Sequence, residues 1–109
     1  MKKLTELKTV TDKNESGDTW VLFKHSYQCG ISANALEELE KAEESGKCPE
    51  IILIDVIASR PVSLAIAEQF KITHQSPQVI FFHMGKPVWH ASHYKITAET
   101  VLNASEKMS

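Results

Sequence analysis

The sequence predicts an α/β fold with a central mixed sheet of about four strands flanked by helices. Two observations carry this prediction. Short aromatic or branched apolar runs alternate along the chain with longer segments of helical periodicity, and Gly, Pro or Ser marks most boundaries between them. The length of 109 residues fits a single domain over residues 1–109.

The first half of the chain contains one predicted strand and two predicted helices. Residues 1–19 are polar, with an N-cap and a Gly stop that predict a short helix over residues 11–18. The run Trp20–His25 is rich in aromatic and branched side chains and predicts a strand, followed by a loop at residues 26–30. A helix then extends to residues 45–47, with its apolar positions on one face: Ile31, Ala35, Leu36, Leu39 and Ala42.

The second half repeats this alternation and ends in a hairpin. Residues 51–57 are almost all apolar, as in a strand covered on both faces. A helix over Arg60–Phe70 and a strand over Gln78–His83 follow. A turn at residues 84–87 leads to a short strand at 88–90, and a last helix begins after Thr97 and continues to the C-terminus.

Two successive strand–helix–strand units predict parallel strands, and the hairpin adds an antiparallel edge. The net charge of −2 and the scattered basic residues argue against a nucleic-acid partner. No apolar run approaches the roughly 20 residues that span a bilayer, so we expect no membrane partner. A glutamate interrupts the N-terminal residues before any apolar signal segment forms, and we expect a cytoplasmic protein.

Cys29 is the main candidate for chemistry, because it lies between a strand and the start of a helix. The free N–H groups and the dipole of a helix N-terminus stabilise a thiolate, which lowers the pKa of a thiol placed there. Lys24 and His25 precede it, and strand alternation lets one of the two face the site and add positive charge. The alternative is that Cys29 is a small buried apolar residue.

The order of elements, the Cys-x-x-Ser sequence at a helix start and the Ser76-Pro77 pair before a strand together resemble the thioredoxin fold. The resemblance implies that Pro77 is preceded by a cis peptide bond beside the active-site cysteine. It also implies that the backbone of Ser76 pairs with a bound disulfide substrate. The alternative is an ordinary trans proline at the start of a strand.

A closer resemblance is to the monothiol bacilliredoxin family. It rests on Lys24-His25-Ser26, on the segment Cys29-Gly30-Ile31-Ser32-Ala33-Asn34-Ala35, on Ser76-Pro77-Gln78, and on Trp89 with Ser92-His93. The family's usual motif reads Thr-Cys-Pro-Ile-Ser, whereas this chain has Gly30 in place of the proline.

This resemblance implies a cytosolic monothiol oxidoreductase that removes bacillithiol from mixed disulfides on oxidised client proteins. Cys29 is then the nucleophile, bacillithiol or a similar small thiol is the co-substrate, and no cofactor is bound. An external thiol must regenerate Cys29, because the hydroxyl of Ser32 forms no disulfide. Ser32 either hydrogen-bonds the thiolate or helps to cap the helix.

Cys48 is an unsuitable resolving thiol, because a helix of roughly 15 residues separates it from Cys29 by about 20 Å. We expect it to be structural, with an intermolecular role as the alternative. We also expect a monomer and no metal site, since His90 and His93 lie on a strand and a loop without an accompanying Cys-x-x-Cys.

Two other functions remain open. The segment Cys29–Ser32 is similar to the Cys-Gly-Phe-Ser motif of monothiol glutaredoxins, which share a [2Fe–2S] cluster across a dimer, but the Gly-Gly-x-Asp segment of those proteins is missing after Phe82. The other is a thioredoxin-fold binding module that docks partners without redox turnover.

Overall fold

The computed structural model describes residues 1–107, which form a five-stranded sheet with helices on both faces. The strands and helices are, in chain order, β1 Lys2–Lys3, α1 Leu7–Glu15, β2 Trp20–His25, α2 Gly30–Glu44, β3 Glu50–Asp55, α3 Arg60–Phe70, β4 Gln78–His83, β5 Lys86–Ser92 and α4 Ala98–Glu106, with a 3₁₀ turn at His93–Lys95 between the last two.

The strand order is β1-β3-β2-β4-β5, so β2 is central. β2 is parallel to β3, as predicted, and the β4–β5 hairpin is antiparallel. The prediction that the second strand–helix–strand unit is also parallel is wrong, because β4 runs antiparallel to β2. After α3 the chain returns to the sheet edge at which β3 ended, since the Lys24 ammonium contacts both Ser63 in α3 and His74 beyond it. β4 therefore starts at that edge and runs the opposite way.

Element boundaries differ from the prediction near the N-terminus, at the end of β3 and in β5, which extends over Lys86–Ser92 and not only over residues 88–90. The sheet contains one strand that was not predicted, the two-residue β1, which pairs with β3. α1 begins at Leu7 and not at residue 11, because the helix turns Val10 into the core. β3 ends at Asp55, whose carboxylate accepts the backbone N–H groups of Ile57 and Ala58 and turns the chain.

The last helix begins as predicted but ends earlier. Thr97 is the N-cap of α4, and it forms a capping box with Thr100. The helix ends at Glu106 and therefore stops short of the C-terminus; residues 108–109 lie outside the described part of the chain.

The sheet has an apolar core on each face. Val21 and Phe23 of β2 pack with α2 and α4, whereas Trp20 and Leu22 pack with α1 and α3. Trp20 stacks on Phe82 of β4 with ring centroids 4.9 Å apart. Because successive strand residues point to opposite faces, the last two residues of β2 also divide between the faces. None of the helices in residues 1–107 combines the length and apolar character that crossing a lipid bilayer requires.

Candidate active site

Cys29 is the N-cap residue of α2. Its backbone is extended (φ −117°, ψ 124°), its carbonyl accepts the N–H of Ala33 at 3.0 Å, and its N–H donates to the Ser26 carbonyl at 3.3 Å. The side chain is partly exposed and makes no capping hydrogen bond to the helix. Cys29 therefore lies at the end of α2 where the first-turn N–H groups have no helical partner, and its side chain is partly open to solvent.

Ser32, three residues further along, is fully buried. Its hydroxyl oxygen lies 2.7 Å from Nδ1 of His25 and accepts the backbone N–H of Ser26 at 3.0 Å. Neither expected role, a bond to the Cys29 thiolate or a cap on α2, describes these partners. Instead, Ser32 joins the first turn of α2 to the end of β2 and to the start of the loop that carries Cys29.

His25 lies on the same sheet face as α2. It is 2% exposed, and burial lowers its pKa, an effect that the Lys3 ammonium strengthens and the Asp55 carboxylate opposes. The exposed ring of Tyr27 contacts the imidazole edge-on, with centroids 4.4 Å apart, and the Lys3 ammonium lies 5.1 Å from the centre of that ring. The neutral form of His25 is favoured, so its main link to the site is the hydrogen bond to Ser32 and not a positive charge.

Lys24 is not brought to the α2 face. Its side chain is fully buried on the α3 face, where Nζ lies 3.0 Å from the carbonyl of Ser63 and 3.1 Å from Nδ1 of His74. Burial lowers the pKa of Lys24 to about 8. Of the two residues proposed to add charge near the thiol, Lys24 thus points away from α2.

The Ser76–Pro77 peptide bond is cis, as the resemblance implied. Lys24 pairs with Gln78 across the antiparallel ladder, so the chain before Gln78 runs beside His25 and the loop that follows it. The Pro77 carbonyl accepts the N–H of His93 at 3.0 Å. The structure therefore places the Ser76–Pro77 segment and the Cys29 loop at the same edge of the sheet.

Sequence reasoning missed the residues that hold the Ser76–Pro77 segment in place. His74 contacts Lys24, and the Gln78 amide donates to the Thr73 carbonyl at 3.0 Å. Lys24 carried a usable signal, because an ammonium in an otherwise apolar strand needs a buried polar partner. The identity of that partner depends on the return of the chain after α3, which the sequence pattern did not predict.

Cys48 lies beyond the other end of α2 and is partly buried. Burial raises the pKa of the Cys48 thiol to about 11, although a hydrogen bond with Ser105 acts in the opposite direction. The 15 residues of α2 separate the two cysteines by roughly 22 Å at the usual helical rise. Cys48 therefore combines distance from the site with a strongly disfavoured thiolate.

Comparison with known proteins shows which family this chain resembles. The model of the family described as monothiol bacilliredoxin BrxC matches residues 1–101. A solved structure described provisionally as an oxidoreductase with a thioredoxin fold is 28% identical, with a TM-score of 0.87 over 96% of this chain and 92% of that one.

Two thioredoxins are more distant in sequence. The thioredoxin of Fasciola hepatica is 19% identical, with a TM-score of 0.74 and 100% of both chains covered. Mitochondrial thioredoxin 3 of Saccharomyces cerevisiae is 17% identical, with a TM-score of 0.77 over 98% of this chain and 94% of that one. At these identities the likeness establishes the fold alone. With the family match over nearly the whole length, the chain belongs to the monothiol bacilliredoxin family and has a thiol redox role on a thioredoxin fold.

Proposed function

We propose that the protein removes bacillithiol, or a similar small thiol, from mixed disulfides on oxidised proteins, with Cys29 as the only attacking thiol. The observation that carries the proposal is the placement of Cys29 at the N-cap of α2 while the motif's second position is a serine with its hydroxyl already engaged. Such a site can take up one small thiol and has no neighbouring thiol to release it.

The first step exchanges one disulfide for another. The Cys29 thiolate attacks the bacillithiol sulfur of the mixed disulfide, a Cys29–bacillithiol bond forms, and the client leaves as a thiolate. In the second step a second bacillithiol thiolate attacks the bacillithiol sulfur held on Cys29. Oxidised bacillithiol leaves, and the Cys29 thiolate is regenerated without net oxidation of the protein.

The second step requires an external thiol. A hydroxyl at Ser32 forms no disulfide, and a bridge to Cys48 needs Cα atoms within about 7 Å, far less than the length of α2. We propose that this external thiol is bacillithiol, acting as a co-substrate, and that no cofactor is bound.

Ser76 is proposed to bind the substrate. Its backbone precedes Pro77 at the sheet edge that carries the Cys29 loop, and we propose that its peptide groups pair there with the chain on either side of the mixed disulfide. We further propose that the protein acts as a monomer in the cytoplasm, on S-bacillithiolated client proteins, and that it takes neither nucleic acid nor membrane as a partner.

Intact-mass measurement of the wild type, Cys29→Ser and Cys48→Ser tests the attacking thiol. Each protein is incubated with oxidised bacillithiol and, separately, with oxidised glutathione. We expect one bacillithiol adduct on the wild type and on Cys48→Ser, none on Cys29→Ser, and less adduct from glutathione. Equal labelling of both cysteines, or no labelling of Cys29, would contradict the proposal and favour a binding module.

Release from a client tests the direction of the exchange. A bacillithiolated client with one cysteine is mixed with the wild type or with either variant. The intact masses of the client and of the protein are then followed over time by mass spectrometry. We expect the bacillithiol mass to move from the client to Cys29, and Cys29→Ser to be inactive. If the client itself becomes linked to Cys29, the attack is on the wrong sulfur and the proposed function fails.

Anaerobic reconstitution with iron and sulfide tests the cluster alternative. We expect the protein to remain colourless, whereas a visible absorption that depends on Cys29 and accompanies dimer formation would favour cluster carriage.

A further inference from the structure

A buried polar cluster lies on the α3 face, below the segment that contains Ser76. Lys24 is its centre, with Nζ 3.0 Å from the Ser63 carbonyl and 3.1 Å from Nδ1 of His74. The hydroxyl of Ser63 lies 3.4 Å from the same imidazole nitrogen. Gln78, 1% exposed and opposite Lys24 in the ladder, donates its amide N–H to the Thr73 carbonyl.

Among residues 1–107, the Lys24 ammonium has no oppositely charged partner that would offset the cost of its burial. Within the described chain its pKa is moved by burial, with no carboxylate acting in the other direction. An unpaired buried ammonium destabilises a domain unless its hydrogen bonds are satisfied. The two acceptors that it has belong to α3 and to the segment after α3, so the ammonium joins these parts of the chain to the central strand.

The segment held in this way is the one proposed to present substrate to Cys29. His74 lies two residues before Ser76, and the same segment is fixed at Thr73 by Gln78 and at Pro77 by His93. We propose that Lys24 is a positioning residue, which acts through Nδ1 of His74 to hold the backbone of Ser76 in place for the mixed disulfide. This inference rests on the proposed function, because it assigns Lys24 to the substrate side of that reaction.

The hydrogen bond depends on two protonation states. Nδ1 of His74 accepts from Lys24 only while the imidazole is neutral, and burial, Lys24 and Arg60 lower the pKa of His74. Lys24 donates a charge-assisted bond only below its pKa of about 8. His25, the neighbour of Lys24 on β2, lies on the other face of the sheet. The contact is therefore strongest between the two pKa values and weakens on either side.

Two substitutions of His74, a partly exposed residue, distinguish the effect of the hydrogen-bond acceptor from the effect of side-chain volume. In His74→Asn the side-chain oxygen can occupy a position close to that of Nδ1. His74→Leu keeps a side chain of similar volume but has no acceptor. For His74→Leu we expect the KM for a bacillithiolated client to rise about tenfold, the loss typical of one charge-assisted hydrogen bond. We expect His74→Asn to restore most of the affinity, and alkylation of Cys29 by iodoacetamide to stay within about twofold of wild type in both variants.

Lys24→Met is the partner variant, with the pH profile as its readout. We expect the KM of the wild type to rise above pH 8 and also below the pKa of His74. In Lys24→Met and His74→Leu we expect the KM to depend much less on pH in both ranges. An NMR titration of the Ser76 amide reads the same contact without any substrate. Its two pH-dependent shifts should be present in the wild type and absent from His74→Leu.

The two proposals fail in different ways. If the wild type does not take bacillithiol from a client, the proposed function fails, and the NMR titration still decides whether Lys24 holds Ser76. If the wild type is active and His74→Leu matches it in KM, pH profile and Ser76 shifts, the positioning role is wrong. Equal losses in His74→Asn and His74→Leu would also overturn it, because the acceptor would then not be what matters.

Discussion

Nδ1 of His25 lies 2.7 Å from the hydroxyl oxygen of Ser32, seven residues further along the chain, and both side chains are buried. The same hydroxyl accepts the N–H of Ser26. One oxygen atom thus joins the end of the central strand, the loop with the reactive cysteine and the first turn of α2. The serine of the Cys-x-x-Ser motif therefore stabilises the fold around the site, in addition to leaving the motif without a second thiol.

Replacing Ser32 with alanine should destabilise the protein. Ser32→Ala leaves the Ser26 N–H and the imidazole of His25 without their buried partner, and we expect a loss of about 1–3 kcal/mol in the free energy of unfolding. Urea denaturation followed by tryptophan fluorescence measures it. Ser45→Ala is the matched control, since the Ser45 hydroxyl bonds a carbonyl at the less buried end of α2; equal losses would refute the special role of Ser32.

Replacing Ser32 with cysteine should convert the mechanism from one thiol to two. The introduced thiolate attacks the Cys29 sulfur of the bacillithiol adduct, an intramolecular disulfide forms between Cys29 and the introduced thiol, and bacillithiol leaves. Intact mass should then show a protein lighter by two hydrogens in place of the adduct that the wild type retains. A stable adduct on Ser32→Cys would mean that the buried position of residue 32 keeps its side chain from Cys29.

The two cysteines should differ sharply in reactivity. With a pKa of about 11, only about one part in a thousand of Cys48 is thiolate at pH 8, and its side chain is partly buried. We expect iodoacetamide at pH 8 to label Cys29 first, and to label Cys48 only after denaturation. Peptide mapping over time, with Cys29→Ser to isolate Cys48, measures both rates; comparable native rates would contradict this assignment.

Proline should be tolerated at position 30. Gly30 is the first residue of α2, a Cβ there would meet nothing within 4 Å, and the extended backbone of Cys29 suits a residue that precedes proline. We expect Gly30→Pro to raise the free energy of unfolding by roughly 0.4–1 kcal/mol, because it restricts the unfolded chain. Gly30→Ala is the control in the denaturation series, and a destabilised Gly30→Pro would show that the N–H of Gly30 is needed.

Lys24 should make stability depend on alkaline pH. Its pKa is about 8 in the folded protein and 10.5 when exposed, so the unfolded chain holds the extra proton between these values. The free energy of unfolding of the wild type should therefore rise with pH across this window relative to Lys24→Met, by at most about 3 kcal/mol. Ionisation of Cys48 lowers the free energy of unfolding at higher pH. Because both proteins contain Cys48, this effect cancels in the difference between the wild type and Lys24→Met. A difference that does not change with pH would show that Lys24 is solvated.

The sequence predicted the strands and helices around Cys29 well because these segments have strong local signals. Trp20–His25 and Arg60–Phe70 have the predicted bounds, since aromatic or proline residues and polar flanks mark both. The direction of β4 was not predictable from the same signals. It depends on how residues 71–77 cross the sheet, and a segment without periodicity does not reveal its path.

The candidate site divides in the same way. The position of Cys29 and the Ser76–Pro77 pair followed from local motifs and from the family resemblance. The partners of Ser32 and Lys24 did not, because each contact joins residues whose proximity exists only in the folded sheet. Alternation along β2 showed that Lys24 and His25 face opposite ways, but it could not tell which of them faces α2.

The central position of β2 determines the order in which this domain can come apart. Fraying that begins at β5 must first separate β5 from β4 and then β4 from β2, and fraying from β1 must likewise pass through β3. Amide hydrogens of β2 should therefore be among the slowest to exchange with solvent. The reactive loop is attached directly to this strand, so the thiol stays anchored to the most persistent part of the sheet while its edges open and close.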